Sequence, residues 1–247
     1  MNIIKTEWQE FESKILFKDK IDLKNETLLG TMFQSDIPLF TKEFNYILNN
    51  NKEYLELFED PTQYGSPILF ELDGSLYNPN DIHHLYHICR REKSIGKQND
   101  RLDVFEWGGG YGNMCKVFHM IYGDLIDSYT IVDLPKMSKI AKQYVSETCI
   151  NKNVMHFSVE DFKDKIKDEY DFFISTWALS ESPSLWVDYM SSNSFLGCEK
   201  MLVSLHQCGN HIPFMKESTE LRTELKKFDT KEEEVFVIDG INYYIFK

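Results

Sequence analysis

The stretch Leu102-Asp103-Val104-Phe105-Glu106-Trp107-Gly108-Gly109-Gly110-Tyr111-Gly112 limits what this chain can fold into more than any other. An apolar run containing an acid passes into a cluster of glycines and then directly into a helix-periodic segment with Met114, Val117, Phe118 and Ile121 on one face. That is a strand, a tight turn and a helix. Glycines at such a corner take backbone angles closed to other residues and let the chain approach a ligand closely, so the turn is expected to be a ligand seat.

Spacing narrows the ligand. The dinucleotide fingerprint G-x-G-x-x-G needs a glycine where Asn113 stands, and the last glycine falls one place early, at Gly112. What remains is E-x-G-x-G-x-G from Glu106 to Gly112, which resembles the first motif of class I S-adenosylmethionine (SAM) dependent methyltransferases. The resemblance implies that Glu106 and the loop residues Gly108, Gly110, Tyr111 and Gly112 hold the methionine part of SAM, with S-adenosylhomocysteine as the product. A glycine turn without a ligand is the plainer alternative.

A chain of 247 residues suits one α/β domain with a modest extension. The net charge of −13, from 40 acidic against 27 basic residues, argues against a nucleic-acid partner. No apolar run is long enough to span a bilayer and Met1-Asn2-Ile3-Ile4-Lys5 is no signal peptide, so a soluble, cytoplasmic protein without membrane contact is expected. The five cysteines, Cys89, Cys115, Cys149, Cys198 and Cys208, are odd in number and lack C-x-x-C spacing, which predicts neither a disulfide framework nor a zinc site.

Apolar faces at Trp8, Phe11, Ile15 and Leu16, and at Phe40, Phe44, Ile47 and Leu48, mark two amphipathic helices. Residues 61–80 read as loop, and Asn80 or Asp81 as the cap of a helix with Ile82, Leu85, Tyr86 and Cys89 on its apolar side. Residues 1–98 are therefore expected to form a helical cap at the substrate site, and residues 99–247 the cofactor-binding domain. His83 and His87 stand at i and i+4, yet no carboxylate-rich motif accompanies them, and no metal is expected there.

From Leu102 onward, strands and helices alternate as in a parallel sheet covered on both faces. Strands are read at Tyr129–Pro135, Val154–Phe157, Tyr170–Ser175 and Lys200–His206, and a closing antiparallel hairpin at Glu234–Asp239 and Asn242–Phe246. A Rossmann-like α/β fold follows, with a mostly parallel seven-stranded sheet and a C-terminal hairpin, as the methyltransferase resemblance implies.

Asp133 ends the second strand about twenty residues beyond the glycine corner, where a carboxylate can accept both ribose hydroxyls; it could equally cap the helix opened by Pro135. By the resemblance, Leu134 lines the same site, Asp161 meets the adenine amino group with Phe162 against the ring, and Ser175 borders the cofactor. Asp161 also suits a turn-capping role. The stretch Trp177-Ala178-Leu179-Ser180-Glu181 resembles a group of bacterial sugar O-methyltransferases of capsule and lipopolysaccharide loci, in which a serine-x-glutamate pair follows this strand; here the residues are Ser180 and Glu181, adjacent.

That resemblance implies methyl transfer to a sugar hydroxyl, on a nucleotide-activated precursor. A hydroxyl attacking a sulfonium methyl needs a general base; Glu181 and His206, both at strand ends, are candidates, though each could be purely structural. Tyr77, His83, Tyr86, Trp177, Ser180, Gln207 and His211 offer polar tips and flat faces to a carbohydrate, and Arg90 with Arg91 could meet a diphosphate. The alternatives are a small-molecule N-methyltransferase, a phosphate-ester O-methyltransferase, a NAD-linked oxidoreductase and a non-catalytic SAM-binding protein. The expected partner is the small-molecule substrate, and a homodimer is compatible with the sequence.

Overall fold

The computed structural model describes residues 37–61, 64–149, 153–182, 184–206, 218–235 and 242–247. The described chain starts with α1 (Ile37–Asn50) and α2 (Lys52–Leu55), then a small hairpin of β1 (Phe70–Leu72) and β2 (Ser75–Tyr77), then α3 (Pro79–Ile95). The sheet is built from β3 (Leu102–Trp107), β4 (Ile126–Asp133), β5 (Val154–Ser158), β6 (Phe172–Thr176), β7 (Lys200–His206), β8 (Lys231–Val235) and β9 (Asn242–Phe246). Between these strands run α4 (Asn113–Tyr122), α5 (Pro135–Thr148), α6 (Ala178–Glu181), α7 (Ser184–Ser192) and α8 (Ser218–Lys226).

The seven strands lie in the order β5-β4-β3-β6-β7-β9-β8. From β5 through β7 neighbouring strands pair in parallel, and β9 pairs antiparallel with β7 and with β8. This is the α/β sheet with a terminal hairpin that the alternating pattern predicts. Its outermost strand is displaced from expectation: β8 starts at Lys231 and is charged through Glu234, because an edge strand paired on one side only tolerates charge.

The central strands are apolar almost throughout because both faces are covered. Along β6, Phe172 and Ile174 join one core cluster and Phe173 the other. The first cluster includes Phe40, Phe44, Leu85 and Tyr86 from α1 and α3 together with Val104, Leu202 and Tyr244 from the sheet, so cap and sheet share a core. The second lies opposite, with Phe105, Phe162, Val187, Leu221 and Leu225. A buried ion pair, Lys116 Nζ to Asp81 at 2.6 Å, joins α4 to α3.

Two local readings change. Asp73-Gly74, both at positive φ, forms a two-residue turn pairing Leu72 with Ser75, so part of the expected loop is a hairpin. The cap of α3 is Asn78, whose side chain accepts the Asn80 N–H at 3.0 Å, with Pro79 as the first helical residue. The expected helix around Trp8 to Leu16 lies outside the described residues. Among the described residues no helix is long and apolar enough to cross a membrane.

Phe173 is fully buried, with ring centroids 6.0 Å from Phe105 and 5.2 Å from Phe195. Phe173→Ala is expected to lower the unfolding free energy by about 3–5 kcal/mol in denaturant titrations. Ile37→Ala, at a residue 66% exposed, should change it by less than about 0.5 kcal/mol.

Candidate active site

The glycine corner sits where β3 leaves the sheet. Gly108, Gly110 and Gly112 take φ of 74°, 56° and 93°, and the Gly108 N–H still donates to the Val132 carbonyl at 2.8 Å. The missing side chains serve the chain's own packing, a different use from the one the sequence suggests. A Cβ on Gly108 would overlap that of Ala178; on Gly109 it would lie 2.5 Å from Ile131 Cγ2, and on Gly112 2.7 Å from Val145 Cγ2. Gly108, Gly109 and Gly110 nevertheless remain part-exposed, so the corner presents backbone on its outer side.

Asp133 closes the corner from the next strand. One carboxylate oxygen accepts the Gly110 N–H and the other the Leu134 N–H, both at 2.6 Å. The side chain is half-buried, so it is part-exposed at the carboxyl edge of the sheet. Leu134 is half-buried at the start of α5.

Glu106 departs from its expected role. It lies 1% exposed beneath the loop, its carboxyl accepts the Tyr129 hydroxyl at 2.9 Å, and burial pushes its pKa up to about 8. Near neutral pH it is mostly a neutral acid supporting the loop from below. Tyr111 also faces inward: its hydroxyl accepts from Asn80 Nδ2 at 3.2 Å and its ring meets Tyr144 edge-on, tying the corner to α3.

Beyond β5, Asp161 is exposed and takes the Ser158 N–H at 3.0 Å, the Ser158 hydroxyl at 2.7 Å and the Lys165 ammonium. These bonds hold its pKa near 2, and they are those of a turn cap. Phe162 is fully buried against Trp107 and Tyr189, which puts it in the core rather than on a ligand face. Ser175 is also buried, its hydroxyl accepting the Leu179 N–H at 3.1 Å as α6 begins.

Over the corner lies the polar face of α3. His83 Nδ1 is 2.6 Å from Glu43 Oε1 on α1, and His83 Nε2 is 3.1 Å from His87 Nε2. His87 Nδ1 in turn meets the Ser204 hydroxyl at 3.3 Å, and Trp177 Nε1 donates to His83 Nε2 at 3.3 Å. One proton assignment satisfies this chain: His83 carries its proton on Nδ1, towards Glu43, its Nε2 lone pair accepts from Trp177 and His87 Nε2, and His87 Nδ1 accepts the Ser204 hydroxyl. His84 Nδ1 accepts from Asn113 Nδ2 at 2.9 Å, at the first residue of α4. Glu43 and Ser204 escaped sequence reasoning, since only the fold brings them to His83 and His87, the i, i+4 pair the sequence shows.

Trp177 itself has φ of 70°, a left-handed conformation uncommon outside glycine, at the end of β6 where α/β sheets bind ligands. Ser180 is buried and donates its hydroxyl to the Trp177 carbonyl at 2.7 Å, while Glu181 is half-buried at the end of α6. Other expected substrate contacts are core residues. Tyr77 is 4% exposed and Tyr86 fully buried, with Arg90 donating to its hydroxyl at 2.7 Å. Arg90 also pairs with Glu233 at 2.8 Å, and Arg91 lies over the Phe172 ring and donates to the Lys247 carbonyl. Both cations expected for a diphosphate are thus engaged within the protein. The His206 backbone ends β7; its side chain, Gln207 and His211 lie outside the described residues.

No protein-family model matches this sequence, and no curated protein does. Among solved structures, the chain is similar to a magnesium protoporphyrin IX methyltransferase from Synechocystis with bound SAM, at 13% identity and TM-score 0.49, over 86% of this chain and 98% of that one. It is also similar to an S-adenosylmethionine dependent methyltransferase from Mesorhizobium loti, at 11% identity and TM-score 0.47, over 65% of this chain and 96% of that one. A third is an O-methyltransferase family 2 protein from Planctomyces limnophilus in complex with apigenin, at 11% identity and TM-score 0.47, over 66% of this chain but only 58% of that one. Identities this low leave the chemistry to be read from this chain's own residues.

Burial drives the pKa of His84 and of His87 well below the ordinary value. The unfolded chain then binds more protons than the folded one below about pH 6.5, so stability falls as pH drops through that point, by up to about 1.4 kcal/mol per pH unit for each histidine. His87→Gln should make this acid limb shallower in denaturant melts. Glu106 acts in the opposite sense: its raised pKa contributes stability present below about pH 4.5 and lost as pH rises through about 8. The stability of wild type relative to Glu106→Gln should therefore fall from pH 6.5 to 8.5 in denaturant melts.

Proposed function

We propose that this chain is a SAM-dependent O-methyltransferase whose acceptor is a sugar hydroxyl. The observation that carries the reading is the part-exposed glycine corner held by a half-buried Asp133 at the carboxyl edge of the sheet. Ribose hydroxyls would donate to Asp133, and the backbone of Gly108 to Gly110 would lie against the methionine part, with Leu134 beside the nucleoside. Bound there, SAM supplies an electrophilic methyl group on a sulfonium.

The rest is positioning and proton transfer. His83 is the general base in this reading: Glu43 holds Nδ1–H at 2.6 Å, and Nε2, which accepts from Trp177 Nε1 at 3.3 Å and lies 3.1 Å from His87 Nε2, would exchange those donors for the acceptor hydroxyl. Glu43 is fully buried and keeps the imidazole oriented as Nε2 takes the hydroxyl proton. Trp177 supplies a flat face suited to a sugar ring. Glu181 and His206, at the ends of α6 and β7, are the remaining candidate bases. The engagement of Arg90 and Arg91 favours recognition of the sugar itself over a nucleotide diphosphate.

Calorimetry with S-adenosylhomocysteine tests the cofactor. Wild-type protein should bind it, and Asp133→Asn should weaken binding about 10- to 100-fold, as for lost hydrogen bonds to a charged acceptor. Absence of binding to the wild type overturns the reading. With radiolabelled SAM and a set of free and nucleotide-linked hexoses as acceptors, His83→Gln should leave S-adenosylhomocysteine affinity unchanged yet slow transfer by about 10²- to 10⁴-fold. Full transfer by His83→Gln would move the base to Glu181 or His206.

A further inference from the structure

Behind the glycine corner, on the helices that flank it, three side chains with soft-metal chemistry converge. Cys115 and His119 stand one turn apart on α4, and Cys149 caps the C-terminus of α5, its N–H donating to the Val145 carbonyl at 2.8 Å. One ligand atom from each of the three lies within 4.8 Å of the others. Cys115 is fully buried, whereas His119 and Cys149 are half-buried.

The imidazole is already oriented. His119 Nδ1 lies 2.8 Å from the Cys115 carbonyl, which fixes the proton on Nδ1 and leaves Nε2 as the lone-pair nitrogen. That Nε2 is buried with no hydrogen-bond partner. A buried acceptor without a donor is costly, and a ring N–H held by a backbone carbonyl is the usual support of a metal-ligating histidine; Nδ1 also lies 3.5 Å from Cys115 Sγ, so the ring sits against the sulfur.

We propose that Cys115, His119 and Cys149 form a site for a thiophilic divalent cation of the zinc class, with two sulfurs, one nitrogen and a fourth position open to water. Two thiolates and an imidazole are a zinc donor set, and the atoms are close enough to contract onto one ion without moving a helix. The ion would fasten the end of α5 to α4. Since Gly112 packs against Val145 between these helices, the site would brace the glycine corner from behind. Nothing in it depends on the reaction proposed above.

The test uses the full chain, stripped of metal, reduced, and titrated with Co²⁺ and then Zn²⁺. Expected are the visible bands of tetrahedral cobalt with thiolate charge transfer at one ion per chain, bleached by Zn²⁺. Cys149→Ala, at a half-buried position, and His119→Gln should each weaken Co²⁺ binding by at least about 100-fold while circular dichroism stays unchanged. His83→Gln, which removes the other i, i+4 histidine pair, should keep the bands. No charge transfer in the wild type overturns the proposal, as do bands that survive Cys149→Ala or vanish in His83→Gln. A Cys115–Cys149 disulfide that, once reduced, takes up no metal also overturns it.

Discussion

The Asp133 carboxylate, at the tip of β4, accepts the Gly110 N–H across the corner that follows β3 and the Leu134 N–H at the start of α5. Both amides sit where a strand becomes a helix, positions without partners in regular structure, and one side chain satisfies both. The clasp fixes the corner relative to the neighbouring strand. Gly108 can then press on Ala178 and Gly112 on Val145, while the outer backbone stays clear. Buried Glu106 completes the arrangement from below, kept mostly neutral by its surroundings, so that a second full negative charge does not sit close to Asp133.

Much of the fold was legible because strands buried on both faces write continuous apolar runs. β7 and β9 have the limits read from the sequence, and the parallel strands follow from the alternation of strand and helix. Where one side of a strand is open to water, that signal fails. Lys231-Glu232-Glu233-Glu234 looks like a solvated run but is the edge strand β8, paired only with β9. The hairpin at Asp73-Gly74 carried its turn signature in the sequence, but strands of three residues are too short to show a period.

The candidate site was legible where it depended on neighbours in sequence and obscure where it depended on facing. The corner and Asp133 could be matched by order and distance. Tyr86, Tyr111 and Phe162 have polar or flat groups suited to ligands, yet the structure turns them inward, and only packing could decide that. Conversely, Glu43 reaches His83 from another helix, and Cys149 reaches Cys115 from the far end of α5. Cysteine spacing along the chain was silent because the convergence arises between helices.

Arg90 bears on how a molecule could enter. Its guanidinium lies 5.5 Å from the centre of the Tyr46 ring, 5.7 Å from that of Tyr86 and 5.6 Å from that of Tyr244, and it pairs with Glu233 on β8. The α3 cap is thereby riveted to the outer strand of the sheet through a cation enclosed by aromatic rings. Swinging the cap away as a rigid flap would expose those rings and separate the charges together. Whatever lies between α3 and the sheet is therefore enclosed by a clamp in which one guanidinium holds a helix, two helix tyrosines and two strands together.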